Sequence, residues 1–270
     1  MLTYGPSYVK DGIYQTGKNF LNLVLSPGKE APWLWKKTVH NERAGWQGRE
    51  RPRSRTMHKN SRNYKRFDPE GAKEFAGIAN EIFAPIYPVI AEQIMKRCNV
   101  REGICIDVGT GASNLAVALA DASDLRIYAM DFSWNIQRMA MESINSKGLQ
   151  ERIRFILGDV HRMPFQDNLA SMVVSRGSMR FWKNKPKAFK ELHRILKPEG
   201  KGYVGGGAGS AALSQGIDEA MKRGGFEWKN RPKKNTKKDH PYFRETLQEA
   251  GIGYAEIIDD DSGFWIHFEK

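Results

Sequence analysis

Between residues 103 and 207 short apolar runs alternate with stretches of helical period, and beyond them the chain closes in a different pattern. The runs "GICIDV" (103–108), "LRIYAM" (125–130), "IRFILG" (153–158), "ASMVVS" (170–175) and "KGYVGGG" (201–207) read as buried strands. The segments "NLAVALADA" (114–122), "SWNIQRMAMESINSKG" (133–148) and "KPKAFKELHRILKPEG" (185–200) read as helices, the last expected to stop at Pro198 and Gly200. Strands joined through helices imply right-handed crossovers and parallel pairing. "YAEIID" (254–259) and "GFWIHFEK" (263–270) lie too close together for a crossover, so they must pair as an antiparallel hairpin. The expected fold is α/β: a doubly wound, mainly parallel seven-stranded sheet with a C-terminal antiparallel hairpin and helices on both faces.

Charge divides the chain further. Of the net +12, residues 1–66 carry +10 (14 Lys and Arg against 4 Asp and Glu) and residues 222–238 carry +7, which leaves the rest mildly acidic. Residues 1–66 have little helical or strand period. Even so, Tyr4, Tyr8, Phe20, Trp33 and Trp35 make the first 35 residues too apolar for a solvated tail. The domain reading is a basic N-terminal extension over 1–66, expected to pack over the core as a lid, and one domain over 67–270 with an insertion at about 208–241. Within that domain Phe75, Ile78, Ala79, Ile82 and Phe83 form one helical stripe, and Pro85 and Pro88 leave either two helices or one kinked helix before Cys98. No apolar run approaches the roughly 18 residues of a membrane span, and the first residues lack a secretory layout, so the expectation is a cytoplasmic protein with no membrane partner. Cys98 and Cys105 stand outside any metal-spaced cluster, so neither a metal nor a disulfide is expected.

The stretch "ICIDVGTGASN" (104–114) ends an apolar strand in a carboxylate and a Gly-x-Gly turn. Glycines there let a ligand approach the backbone, and a following helix N-terminus favours anions. A dinucleotide fits poorly: the third glycine of the fingerprint falls on Asn114, and Asp107 faces a pyrophosphate with like charge. That places a nicotinamide oxidoreductase behind the other readings. Asp107 suits a ligand with a sulfonium and an ammonium group, and S-adenosylmethionine carries both. Asp131 ends the second strand, where a carboxylate accepts from both ribose hydroxyls, with Phe132 beside it for the adenine; Asp159 follows the third strand, where an acid accepts from the adenine amino group.

These residues resemble the class I (seven-stranded) S-adenosylmethionine-dependent methyltransferases, closest to the branch acting on small molecules. "IDVGTGAS" is similar to that family's first motif, "YAMDFS" to its acidic loop, "GDVHRMPFQDN" to the loop after the third strand, and "RILKPEGKGYVGGG" to the motif leading into the fifth strand. The resemblance covers roughly residues 75–270. It implies that Asp107, Gly109, Thr110 and Gly111 hold the methionine end of S-adenosylmethionine. It also implies that Asp131 and Phe132 hold the ribose and adenine, that Asp159 and Val160 hold the adenine, and that Ser175 and Arg176 lie near the transferred methyl. Ser113 stands where the first motif has its third glycine, and "NLASMVVS" lacks the acid common before the fourth strand.

Methyl transfer is an in-line displacement at an activated carbon, so alignment and exclusion of water are the protein's main tasks. Where the acceptor needs a base, His161 is placed for it in the loop at the carboxyl edge of the sheet, whereas His193 sits in an amphipathic helix and reads as structural. "SRGSMRFW" (175–182) follows the fourth strand and has no cysteine, which disfavours a covalent mechanism. Ser178, Met179, Arg180, Phe181 and Trp182 read either as a pocket for a small, partly anionic or aromatic substrate or as core packing. Three functions follow: a small-molecule methyltransferase, an RNA methyltransferase using the basic N-terminal segment, or a non-catalytic nucleoside-binding module.

Overall fold

In the computed structural model, which describes residues 69–225 and 237–270, seven strands stand side by side in the order β3-β2-β1-β4-β5-β7-β6. The expectations for residues 1–66 lie outside the described residues, as does the 226–236 part of the basic segment 222–238. β1 (Ile104–Val108), β2 (Arg126–Asp131), β3 (Ile153–Leu157), β4 (Ala170–Arg176) and β5 (Leu196–Gly206) run parallel. β6 (Tyr254–Asp260) and β7 (Gly263–Glu269) form the expected hairpin, and β7 pairs antiparallel with β5 as well.

Before the sheet, α1 (Pro69–Glu81) and α2 (Ile86–Cys98) are separate helices: Pro85 stands between them, and Pro88 is accommodated in the first turn of α2. α3 (Asn114–Asp121) and α4 (Trp134–Ser146) follow β1 and β2, α5 (Lys185–Ile195) joins β4 to β5, and α6 (Ala211–Arg223) and α7 (His240–Glu249) lie between β5 and β6. Among the described residues no helix is long and apolar enough to cross a membrane.

Alternation along β1 sorts the core into two layers. Cys105 packs with α2 and α3, whereas Ile106 and Val108 pack with α5 and α7. Asp107 therefore belongs to the α2/α3 face, at the carboxyl end of the strand. The hairpin contributes to both layers: Trp265 is fully buried with its ring centroid 5.0 Å from that of Tyr203 on β5, and Phe268 lies edge-on to Phe189 of α5 at 5.8 Å.

One boundary differs from the sequence reading. The helix expected to reach residue 200 ends at Ile195, and β5 starts at Leu196 instead of 201. Pro198 forces Lys197 away from helical torsions, and Leu196 is already extended at φ −64°, ψ 138°. Leu196 pairs with Ala170, the register then skips to Met172 opposite Lys201, and the intervening residues bulge through Glu199 at φ +64°.

Candidate active site

The carboxyl ends of β1, β2 and β4 meet at one rim. After Val108 the chain turns through Gly109 (φ +70°) and Gly111 (φ +58°), both left-handed. The amides of Gly109 and Thr110 donate to Met130 O at 2.8 and 3.0 Å, which ties the turn to the end of β2. A Cβ at Gly109 would collide with Ser178, and one at Gly111 would press on Phe75 at 3.0 Å. Ser113, in the third-glycine position, is fully buried and left-handed at φ +64°, the conformation a glycine would take without strain.

Asp107 is 1% exposed and accepts from Thr110 Oγ1 at 2.6 Å. Burial pushes its carboxyl up to about 7; the Thr110 bond acts against this, and the nearby Asp131 adds to it. No basic side chain among the described residues offsets its charge. Asp131, also buried, accepts from Gly111 N at 3.1 Å through one oxygen and from Ser133 N at 3.0 Å through the other. Phe132 beside it is 58% exposed.

Asp159 and His161 form a local unit. The His161 amide donates to Asp159 Oδ1 at 2.9 Å and the ring Nδ1 lies 2.7 Å from the same oxygen, while Nε2 accepts from the Asn184 amide at 3.2 Å. Accepting at Nε2 fixes the proton on Nδ1, so both ring nitrogens are engaged and neither is open to an acceptor's proton. Burial pushes Asp159 up, and the two bonds from His161 more than offset it, holding the carboxyl below its ordinary value. Val160 between them is buried.

At the β4 end, Ser178 ties the ends of β1 and β4 together. Its Oγ donates to Val108 O at 3.0 Å and accepts from Ser175 Oγ at 2.6 Å and from Trp182 Nε1 at 3.2 Å. Met179 and Trp182, which the sequence left between pocket and core, are buried, whereas Phe181 is exposed. Arg176 donates from Nε and Nη2 to Gly207 O, both at 3.2 Å, and its Cζ lies 5.2 Å from the Phe83 ring centroid and 5.4 Å from that of Tyr87. Burial holds its guanidinium below the ordinary value, with Tyr87 acting against this.

Asp107, Gly109, Thr110, Gly111, Asp131, Phe132, Asp159, Val160, His161 and Arg176 line one cavity of about 1760 Å³. That exceeds the roughly 300–1,000 Å³ of a single small-molecule pocket and leaves room for a second ligand. Ser175 stands one hydrogen bond behind the lining, through Ser178. The sequence reading missed Tyr87; Phe83, which it placed in an apolar stripe, is in the core and lines the cavity as well. Their signal was the Pro85 break, which turns both aromatics toward the rim.

Residues 106–204 match the family model described as "Methyltransferase domain". A solved structure described as a proposed S-adenosyl-L-methionine-dependent methyltransferase from Methanococcus maripaludis is 43% identical, with a TM-score of 0.73, over 79% of this chain and 97% of that one. Among curated proteins, a demethylmenaquinone methyltransferase from Geobacillus kaustophilus is 32% identical over 40% of this chain and 47% of its own length. A 2-phytyl-1,4-naphtoquinone methyltransferase from Nostoc punctiforme is 32% identical over 37% and 44% respectively. The chain spans about half the length of the curated relatives it matches.

Proposed function

This chain belongs to the class I S-adenosylmethionine-dependent methyltransferases, and we propose that it moves a methyl group to a small-molecule acceptor by in-line displacement. The observation that carries this is Asp107: a buried carboxylate at the lip of a glycine turn, with no described cation beside it. A buried lone charge costs several kcal/mol, on the order of the penalty for one desolvated ion, and a cationic ligand relieves it.

The side chains present suit the cofactor, which when bound supplies a methyl group on a sulfonium. Asp107 offers its charge to the methionine end, and Gly109, Thr110 and Gly111 give that end backbone to approach. Asp131 is bonded to two amides, and since each carboxylate oxygen has two lone pairs, the amides do not exhaust it as a partner for a diol. Phe132 covers one face of the adenine, with Asp159 and Val160 at its edge. His161 acts as a positioning residue that holds the Asp159 carboxylate and the Asn184 amide. Ser175 and Arg176 close the end toward the acceptor, where exclusion of water and alignment carry the rate.

We read residues 67–270 as the methyltransferase domain, with the insertion at about 208–241 on its acceptor side and residues 1–66 as a basic extension. A small-molecule acceptor is favoured by the size of the cavity and by relatives whose names specify quinone substrates. The RNA reading draws on residues 1–66, outside the described part. Calorimetry with S-adenosylhomocysteine tests the assignment: the wild type binds and Asp131→Ala does not. A wild type that fails to bind overturns it. Transfer of labelled methyl into a cell extract then sorts acceptors, and label recovered in RNA instead of the small-molecule fraction overturns the acceptor class.

A further inference from the structure

We propose that Arg176 is the acceptor-recognition residue, and that the substrate presents it with an oxyanion, carboxylate or phosphate. The proposal rests on the methyltransferase reading and names the substrate class of that same cavity. Arg176 ends β4 opposite Gly205 on β5, and the cavity wall beside it is formed by Gly205, Gly206 and Gly207, which place no side chain over the guanidinium. The group is half-buried between the rings of Phe83 and Tyr87. Its Nε and one Nη are spent on a single backbone carbonyl, that of Gly207. No described carboxylate pairs with it, although Asp218, Asp259, Asp260 and Asp261 line the same cavity.

A guanidinium has five N–H donors in a planar fork, suited to two parallel bonds with a carboxylate or phosphate. Here the fork bonds the Gly207 carbonyl and the Tyr87 side chain, both neutral, and ring faces return only part of the hydration a half-buried cation gives up. Were Arg176 a purely structural clamp between α2 and β5, an aspartate of the same cavity would be its expected partner. Instead Asp259 lies 3.4 Å from His240 Nε2, and Asp260 accepts from Ser262. Those two acids are turned to other groups, and the cation lines the cavity at the end of the strand next to the one that presents Asp107. An acceptor held through an oxyanion at Arg176 has its remaining atoms directed toward the rim where the methyl group arrives.

The test is calorimetric titration of the full chain with benzoate and with benzamide, which share a ring and differ in charge, each with and without saturating S-adenosylhomocysteine. The wild type is expected to bind benzoate at least tenfold more tightly than benzamide. In Arg176→Gln that preference falls below twofold, while in Arg176→Lys part of it survives. Methyl phosphate against acetate then separates the two oxyanion sources. Equal affinity for benzoate and benzamide, no binding of any anion, or a preference undiminished in Arg176→Gln overturns the proposal. Should Arg176→Gln not fold, the wild-type comparison and Arg176→Lys decide. A protein that binds the anion but not S-adenosylhomocysteine overturns the methyltransferase reading alone; one that binds S-adenosylhomocysteine without any anion preference overturns this proposal alone.

Discussion

The amide of Gly111 donates to Asp131 Oδ2 at 3.1 Å, so the glycine turn after β1 and the acid that ends β2 are set in place by one hydrogen bond. Neither can move without the other, and the Ser133 amide at Oδ1 fixes the carboxylate plane.

Removing that carboxylate loosens the turn and deletes the ribose acceptor together. Hydrogen bonds to a charged group contribute about 1.5–3 kcal/mol each, and 1.4 kcal/mol is a factor of ten. Asp131→Ala is therefore expected to weaken S-adenosylhomocysteine binding at least ~100-fold by calorimetry, and Asp131→Asn about tenfold, since the amide keeps one acceptor. A change under threefold in both variants contradicts the role.

Asp107 makes cofactor affinity depend on pH. Its carboxyl titrates near 7 in the folded protein, against about 3.9 in an unfolded chain. A cationic ligand needs the ionised form, so affinity for S-adenosylmethionine should rise up to tenfold per unit as pH climbs from 5 to 7 and level off above. Asp107→Asn removes that slope. The folded protein also holds a proton the unfolded chain sheds between about pH 4 and 7, so this group's penalty on stability grows as pH rises through that window. Thermal melts of the ligand-free protein should show Asp107→Asn more stable than wild type at pH 8, with the gain shrinking toward pH 5.

Ser113 holds a left-handed conformation that costs a non-glycine residue roughly 1–2 kcal/mol. Ser113→Gly gives up its contact with Thr110 Oγ1 at 3.3 Å, a weak one. The net expectation is a gain of about 1 kcal/mol, read as a rise of roughly 2–4 °C in Tm. A lower Tm would show that the side chain matters more than the torsion.

His161 gives the sharpest separation of positioning from proton transfer. His161→Asn should weaken cofactor binding about tenfold by freeing Asp159, while kcat at saturation stays within about threefold and the shape of its pH profile is unchanged. Loss of an ionisation from the profile would identify His161 as the base.

How much of this was legible in the chain varies with the physics behind each element. β1, β2 and β4 are largely buried on both faces, so their sequences are mainly apolar, and the hairpin follows from a loop too short for anything else. The acids ending β1 and β2 were visible because a charge at the end of such a run has few structural uses. The start of β5 was not: Leu196 to Gly200 is polar and contains a proline, and only pairing with Ala170 makes it sheet. The engagement of His161 with Asn184 depends on residues 23 positions apart, which no local pattern encodes. Arg176 could be placed at a strand end, but the rings of Phe83 and Tyr87 around it come from the start of α2 and the turn before it, about ninety positions earlier in the chain.

The seating of β7 between β5 and β6 has a consequence for biosynthesis. A ribosome delivers β6 before β7, the strand it pairs with, and β5 waits longer still with an open flank. Until Trp265 and Phe268 emerge, the nascent chain carries an unpaired edge and an unfilled core, the state in which chaperones bind and aggregation begins.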